Sequence, residues 1–478
     1  MRKRKIKIGL WAGASLMSSF LFYQQAAGIN FLVFNLLVVS IAVGLYPALR
    51  QSRQGKLMVV GCLLTAVGVV WHHTWLAILL NWVSFVALAG FCVFPRTSLA
   101  VALPNGLYAA LISFWKGKWW SVQPEHETRT GLSMARVLSW IIPVMVTSLF
   151  LLLYISANPA FAALVQQTGG EIISPGRLIF TLGIAYGLLA FFYPSGMSGL
   201  IEADQRISDT LTRQRVLYKR ERSISMIGLK YEYRTGWLLF ALLNGLLFLF
   251  NGIDLYYLTS GRLPESVTYS EYVHQGVTAL IISIVLAIGI VMYFFRGNLN
   301  FYHRNAQLRM AAYGWIVQNG LLVLTTAYKN SLYIDAYGLT QKRVGVYVYL
   351  LLALAGLAST YVKVGQIKST MFLVRCNLWV WYLVLGGMTL INWPRLITQY
   401  NLAHFPAQHI DFYYLSRLSD NNLDLLATAI QQPKYQLARG NKSYIVNKIS
   451  QFKKTKRQQD WRSWNYAEAQ VLNRLAHE

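Results

Sequence analysis

Apolar runs about as long as a lipid hydrocarbon core is thick recur along this chain and limit the folds open to it. About eleven of them follow one another along 478 residues, at 8–25, 28–49, 57–74, 75–94, 136–157, 177–198, 236–258, 275–295, 311–328, 344–362 and 372–393. A core of roughly 30 Å takes about 20 helical residues per crossing. Only helices and closed barrels satisfy their own backbone hydrogen bonds at that depth. The spacing therefore predicts an all-α, polytopic membrane protein of about eleven transmembrane helices, with a small helical C-terminal region. Composition agrees: 55% of residues are hydrophobic, 13% are charged and mean hydropathy is +0.39, where a soluble domain carries about 25% charged residues.

Lys and Arg concentrate in short cytoplasmic connections and so orient such a chain. With eleven spans and a cytoplasmic N-terminus, the inner segments hold 27 cations and the outer connections five, namely Arg177, Arg262, Lys329, Lys342 and Arg343. This alternation sets the N-terminus on the cytoplasmic side, and an inner (cytoplasmic) membrane is the expected location. The run 98–115 is apolar but contains Pro104-Asn105-Gly106, with Lys116, Lys118, Trp119 and Trp120 after it. Counting it as a span would invert everything downstream, so an interfacial or re-entrant helix is expected within 95–135. Residues 199–234 form a basic cytoplasmic loop with eight cations and five acids, suited to lie against lipid phosphates.

Residues 1–393 thus make a multi-span domain, and 394–478 an extramembrane tail, expected on the extracytoplasmic side. Within the tail Leu415, Leu418, Leu426 and Ile430 recur at helical spacing, with Asp420 or Asn421 available as a cap. The partners expected are the lipid bilayer and, through the tail, an envelope protein. The net charge of +26 is accounted for mostly by membrane-face anchors, and no nucleic-acid module is present.

The polar stretch between two apolar runs, "SLYIDAYGLTQKR" from Ser331 to Arg343, is the first candidate site. Gly338 can turn the chain where a β-carbon would resist. Thr340 stands where a helix N-cap belongs. Tyr337 suits the headgroup level. Lys342 and Arg343 stand at the positive end of the next helix, where the macrodipole disfavours cations, so Arg343 needs an offsetting partner, expected to be Asp335 or Asp254. The second candidate is Asn244, Asn251 and Asp254 on one face of the run 236–258, either as interhelical glue or as a ligand-contacting face.

"LYIDAYGLTQKRVGVYVYL" resembles the signature of a bacterial family of polytopic membrane proteins of unknown function, marked by Tyr337-Gly338-Leu339-Thr340 ahead of an arginine and a transmembrane helix. The likeness extends to "EYRTGWLLFALLNGLLFLFNGIDLYYL" (232–258), "FYYLSRLSD" (412–420) and "DWRSWNYAEAQ" (460–470). It implies a membrane protein and brings no activity with it.

No phosphate-binding lysine loop, metalloprotease helix, serine elbow or kinase signature is present. The cysteines Cys62, Cys92 and Cys376 lie in apolar runs without ligand spacing. No catalytic residue, metal or cofactor is expected, and the chain reads as a membrane scaffold or a sensor-like component of an envelope process. Two other readings stay open. One is a transporter or lipid-handling protein with Asn244, Asn251, Gln318 and Asn319 lining a cavity. The other is a membrane-embedded transferase using His72 or His73 with Asp254.

Overall fold

The computed structural model describes residues 2–116, 175–213, 226–260, 269–435 and 439–477, with positions 147 and 154. The rest of the expected span 136–157, the segment 117–135, residues 214–225 of the basic loop and Arg262 lie outside the described residues.

Every regular element described is helical. In the first part of the chain run α1 (Arg2–Phe22), α2 (Ile29–Leu45), α3 (Ala48–Gln51), α4 (Arg53–His72), α5 (Trp75–Val93), α6 (Leu99–Lys116), α7 (Pro175–Phe192) and α8 (Ser198–Arg206). There follow α9 (Met226–Ser260), α10 (Tyr269–Phe294), α11 (Asn305–Tyr337), α12 (Gln341–Gly365) and α13 (Thr370–Thr389). The last are α14 (Trp393–His404), α15 (Phe412–Ser416), α16 (Leu423–Gln431), α17 (Arg439–Arg457) and α18 (Tyr466–His477). The chain is membrane-embedded: among the described residues five helices, in α4, α5, α9, α12 and α13, are long and apolar enough to cross a bilayer. Shorter apolar helices accompany them at Ile6–Phe22, Ile29–Leu45, Leu99–Trp115, Gly176–Phe192 and Ile282–Phe294.

The five coincide with the expected runs 57–74, 75–94, 236–258, 344–362 and 372–393, and the count is made among the described residues, which omit most of 136–157. The expected runs at 8–25, 28–49 and 177–198 fold as apolar helices, α1 of 21 residues, α2 of 17 and α7 of 18. The run 311–328 lies inside α11, where Gln318, Asn319, Thr325 and Thr326 dilute its apolar character. Pro104 does not break α6, which is one continuous helix. Asn105 stabilises the site, donating from Nδ2 to Val101 O (3.0 Å) and accepting the Met197 N–H on Oδ1 (2.7 Å).

Two compact units make up the chain. The first comprises Met1–Gln205, Gly386–Ile391 and Gln451–Glu478. In it α5 and α6 approach so closely that a β-carbon on Gly106 would fall 1.7 Å from Val86 O, and one on Gly90 1.9 Å from Ala102 O. A fully buried knot joins α2, α4 and α5: Asn35 and Asn81 exchange amide bonds at 3.1 Å, and Asn81 also donates to Thr65 Oγ1 at 2.9 Å and Cys62 O at 3.1 Å. Asp204 accepts from Ser98 N, Ser98 Oγ and Thr97 Oγ1 at the start of α6, a position where the helix dipole favours an anion.

The second unit comprises Arg206–Leu385 and Asn392–Ser450. Its aromatic core centres on Phe240 of α9, with Phe294, Phe295 and Trp315 packed around it. Arg395 on α14 grips Asp424 on α16 with two bonds of 2.9 and 2.7 Å, and Asn422 donates to Thr398 Oγ1 and Leu415 O, both at 2.8 Å. In this region Leu415 and Leu426 are buried as their spacing predicts. Ser419, not Asp420 or Asn421, supplies the capping oxygen before the second helical set.

Candidate functional site

The stretch from Ser331 to Tyr337 is helical, forming the last two turns of α11, where sequence reading placed a loop. No residue before Gly338 interrupts the helix, and Tyr333 and Ile334 bury on one side of it. Gly338 ends it with φ 83° and ψ 168°, a backbone conformation open essentially to glycine alone. A β-carbon there would also meet Asn401 Oδ1 at 2.8 Å. Thr340 then caps α12, its hydroxyl accepting the Arg343 N–H at 3.4 Å.

Arg343 is partnered by neither expected carboxylate. Its guanidinium donates to Tyr337 O at 2.8 Å and to Gly338 O, and lies 4.1 Å from the centre of the Tyr333 ring. The physical reason is the end of α11: its last carbonyls carry the negative pole of that helix and offset the unfavourable pole of α12. Asp335 is exposed and accepts from the Tyr400 hydroxyl at 3.4 Å.

Residues far along the chain close on this turn. Asn401 of α14, buried, accepts the Leu339 N–H on Oδ1 (2.7 Å) and donates from Nδ2 to Leu339 O (2.9 Å), reproducing a backbone pairing with a side chain. The Tyr414 hydroxyl accepts the Gln341 N–H at 2.8 Å. Burial pushes the Tyr414 phenol above its ordinary pKa, the Gln341 N–H and Arg343 pulling against it, so it keeps its proton near neutrality. Between the two segments lies a cavity of about 260 Å3, lined by Tyr337, Thr340, Arg343, His409, Asp411 and Tyr414 among others. Asn401 and His409 carried no local sequence signal. Tyr414 lies in the piece "FYYLSRLSD", which the family resemblance had singled out.

The second candidate, on α9, faces α11 throughout. Asn244 donates to Ala311 O (2.9 Å) and accepts from Gln318 Nε2 (2.7 Å), Asn251 donates to Gln318 O (3.1 Å), and Asp254 pairs with Lys329, both buried. The partner of Asp254 is thus Lys329, not Arg343. These bonds run between helices, as interhelical glue does; the small hollow beside Asn319 is lined mainly by apolar side chains of α10, α11 and α12.

His72 and His73 end α4 differently. His72 Nε2 lies 2.9 Å from Leu390 O. His73 adopts the left-handed C-cap conformation (φ 48°) and its Nδ1 lies 3.1 Å from Glu468 Oε1, a carboxylate 395 residues away. Glu468 also meets Lys456 and Asn465. Burial alone would raise the Glu468 carboxyl, but the hydrogen bonds from His73 and Lys456 outweigh it and bring its pKa down to about 2. Among the described residues no three His, Cys, Asp or Glu side chains gather in a way that could hold a metal ion.

Comparison with curated proteins and with solved structures finds no match. The model of one family, described as a domain of unknown function (DUF4153), matches residues 14–429. Having a helical membrane chain and that match over most of its length, the protein belongs to the DUF4153 family.

Proposed function

We propose that the chain is a non-enzymatic scaffold or sensor-like component of an envelope process, seated in the inner membrane of a bacterial cell with about eleven crossings. On this reading the 337–343 connection and the segment after Asn392 face outward and receive an envelope protein. The observation that carries it is the clamp of Asn401 on Leu339 and of Tyr414 on Gln341. Both side chains hold backbone groups at the junction of α11 and α12. A load on the extramembrane segment is therefore passed through these two side chains to the backbone between two long helices. The concentration of Lys and Arg in alternate connections supports the sidedness, and the 260 Å3 cavity offers an entering side chain a mixed polar and apolar seat.

The test is crosslinking in intact cells from a photoreactive residue at Tyr413, which is exposed and adjoins the cavity-lining Tyr414 in the chain. A defined envelope protein should be captured by the full chain and lost from an Asn401→Ala variant that still inserts and purifies. The same adduct from both chains, or none from either, overturns the reading.

A further inference from the structure

The first unit contains a cavity of about 680 Å3 whose described walls are hydrocarbon and aromatic, with no charged side chain among them. Phe22, Phe34, Trp82, Phe85, Phe180 and Phe191 bound it, and small residues hollow it out: Ala89 on α5, Gly106 and Ala110 on α6, Gly183 and Gly187 on α7. The two α7 glycines are one turn apart and share a face. A β-carbon on either would meet nothing within 4 Å, so they border open space instead of a close helix contact such as Gly90 and Gly106 make.

Three observations fix what belongs there. An apolar void does not retain water, and left empty it deprives its lining of dispersion contacts, so hydrocarbon is the occupant its chemistry favours. The lining runs along α7 from Phe180 to Phe191, about 16 Å at the helical rise, which is close to half of a roughly 30 Å hydrocarbon core and therefore the reach of one leaflet. Beside it Trp82 and neighbouring Leu79, Leu107 and Leu111 are exposed, as lipid-facing side chains are.

One end differs from the rest. The Phe180 ring packs 5.7 Å from the Tyr23 ring, and the Arg177 guanidinium lies 5.9 Å from the centre of that same ring. Arg177 stands one turn before Phe180 on α7, where a lipid phosphate would lie if its chain occupied the cavity. We infer that this cavity binds one acyl chain of an anionic membrane phospholipid, with Arg177 at the phosphate. The site lies wholly in the first unit and does not depend on the proposed scaffold role.

The test uses the full chain in vesicles of phosphatidylcholine containing either phosphatidylglycerol or phosphatidylcholine with a photoactivatable diazirine in the acyl chain. Crosslinks should map to the peptides carrying Trp82–Ala89 and Phe180–Phe191, with phosphatidylglycerol favoured. Gly183→Leu and Gly187→Leu, which fill open space and should leave the melting temperature nearly unchanged, should cut those crosslinks about tenfold, equivalent to roughly 1.4 kcal/mol. Arg177→Gln should keep them and abolish the preference for phosphatidylglycerol. Wild-type crosslinks confined to other peptides overturn the proposal, as do crosslinks undiminished in both glycine variants. Equal labelling by the two lipids in the wild type overturns the anionic part. Should the glycine variants fail to fold, the wild-type map and the Arg177→Gln comparison decide.

Discussion

The α5–α6 pair of the first unit and the α9–α11 pair of the second solve one problem by opposite means. Leaving lipid for a neighbouring helix gives an apolar side chain no hydrophobic gain, so membrane helices associate through close packing or through polar bonds. The α5–α6 pair uses shape: Gly90 and Gly106 admit the backbone of the other helix to distances no β-carbon tolerates. The α9–α11 pair uses chemistry, with a ladder of amides from Asn244 to Asn251 ending in the Asp254–Lys329 ion pair. A shape-matched contact fails when an atom is added, a polar one when a partner is removed.

Gly106→Val should be the most damaging, costing more than about 5 kcal/mol by forcing α5 and α6 apart; it is read as loss of monodisperse protein on size exclusion. A well-behaved Gly106→Val protein would end the shape argument. Lys329→Met should follow, at about 3–5 kcal/mol, because it removes the cation paired with a buried carboxylate. Adding Asp254→Leu to it should restore most of the loss, since replacing a buried pair with apolar groups is often neutral. Thermal melts of both in one detergent decide, and no recovery in the double variant would show that the pair does more than neutralise itself.

Charge can be separated from shape by pH. The Glu468 carboxyl lies at about 2 against an ordinary 4.5. Its stabilisation is complete above pH 4.5 and disappears as pH falls from 4.5 toward 2, with a ceiling of about 3 kcal/mol for a shift of that size. Glu468→Gln should flatten this acid limb in a pH series of melts, and an unchanged limb would assign it elsewhere. Asn401→Ala should cost about 2–3 kcal/mol, since it orphans the buried N–H and C=O of Leu339, and proteolysis at the α11–α12 connection should accelerate. The smallest effect belongs to Asn244→Leu, about 1.2 kcal/mol for two interhelical side-chain bonds at the usual worth of about 0.6 each. A loss equal to that of Lys329→Met would mean the ladder acts as a unit.

Residue by residue, the candidate site was legible where its causes were local. Gly338 as the turn and Thr340 as the cap follow from backbone chemistry within a few residues. The shared face of Asn244, Asn251 and Asp254 follows from a period of 3.6. The partner of Arg343 was misread because carboxylates were counted and helix-end carbonyls were not, although a terminating helix supplies acceptors of its own. The extent of α11 was misread because polar residues suggested a loop, whereas one wet helical end satisfies the same composition.

The solvent and the class of element follow from the order of residues alone: repeated apolar stretches require a lipid environment, and helices are how a backbone satisfies itself there. The pairings come from long-range packing. Lys329 reaches Asp254 across 75 positions, Asn401 reaches Leu339 across 62, and Glu468 reaches His73 across 395. Periodicity says which face of a helix is polar and nothing about what lies opposite. That is set by which surfaces pack together, a property of the whole fold and of no single segment.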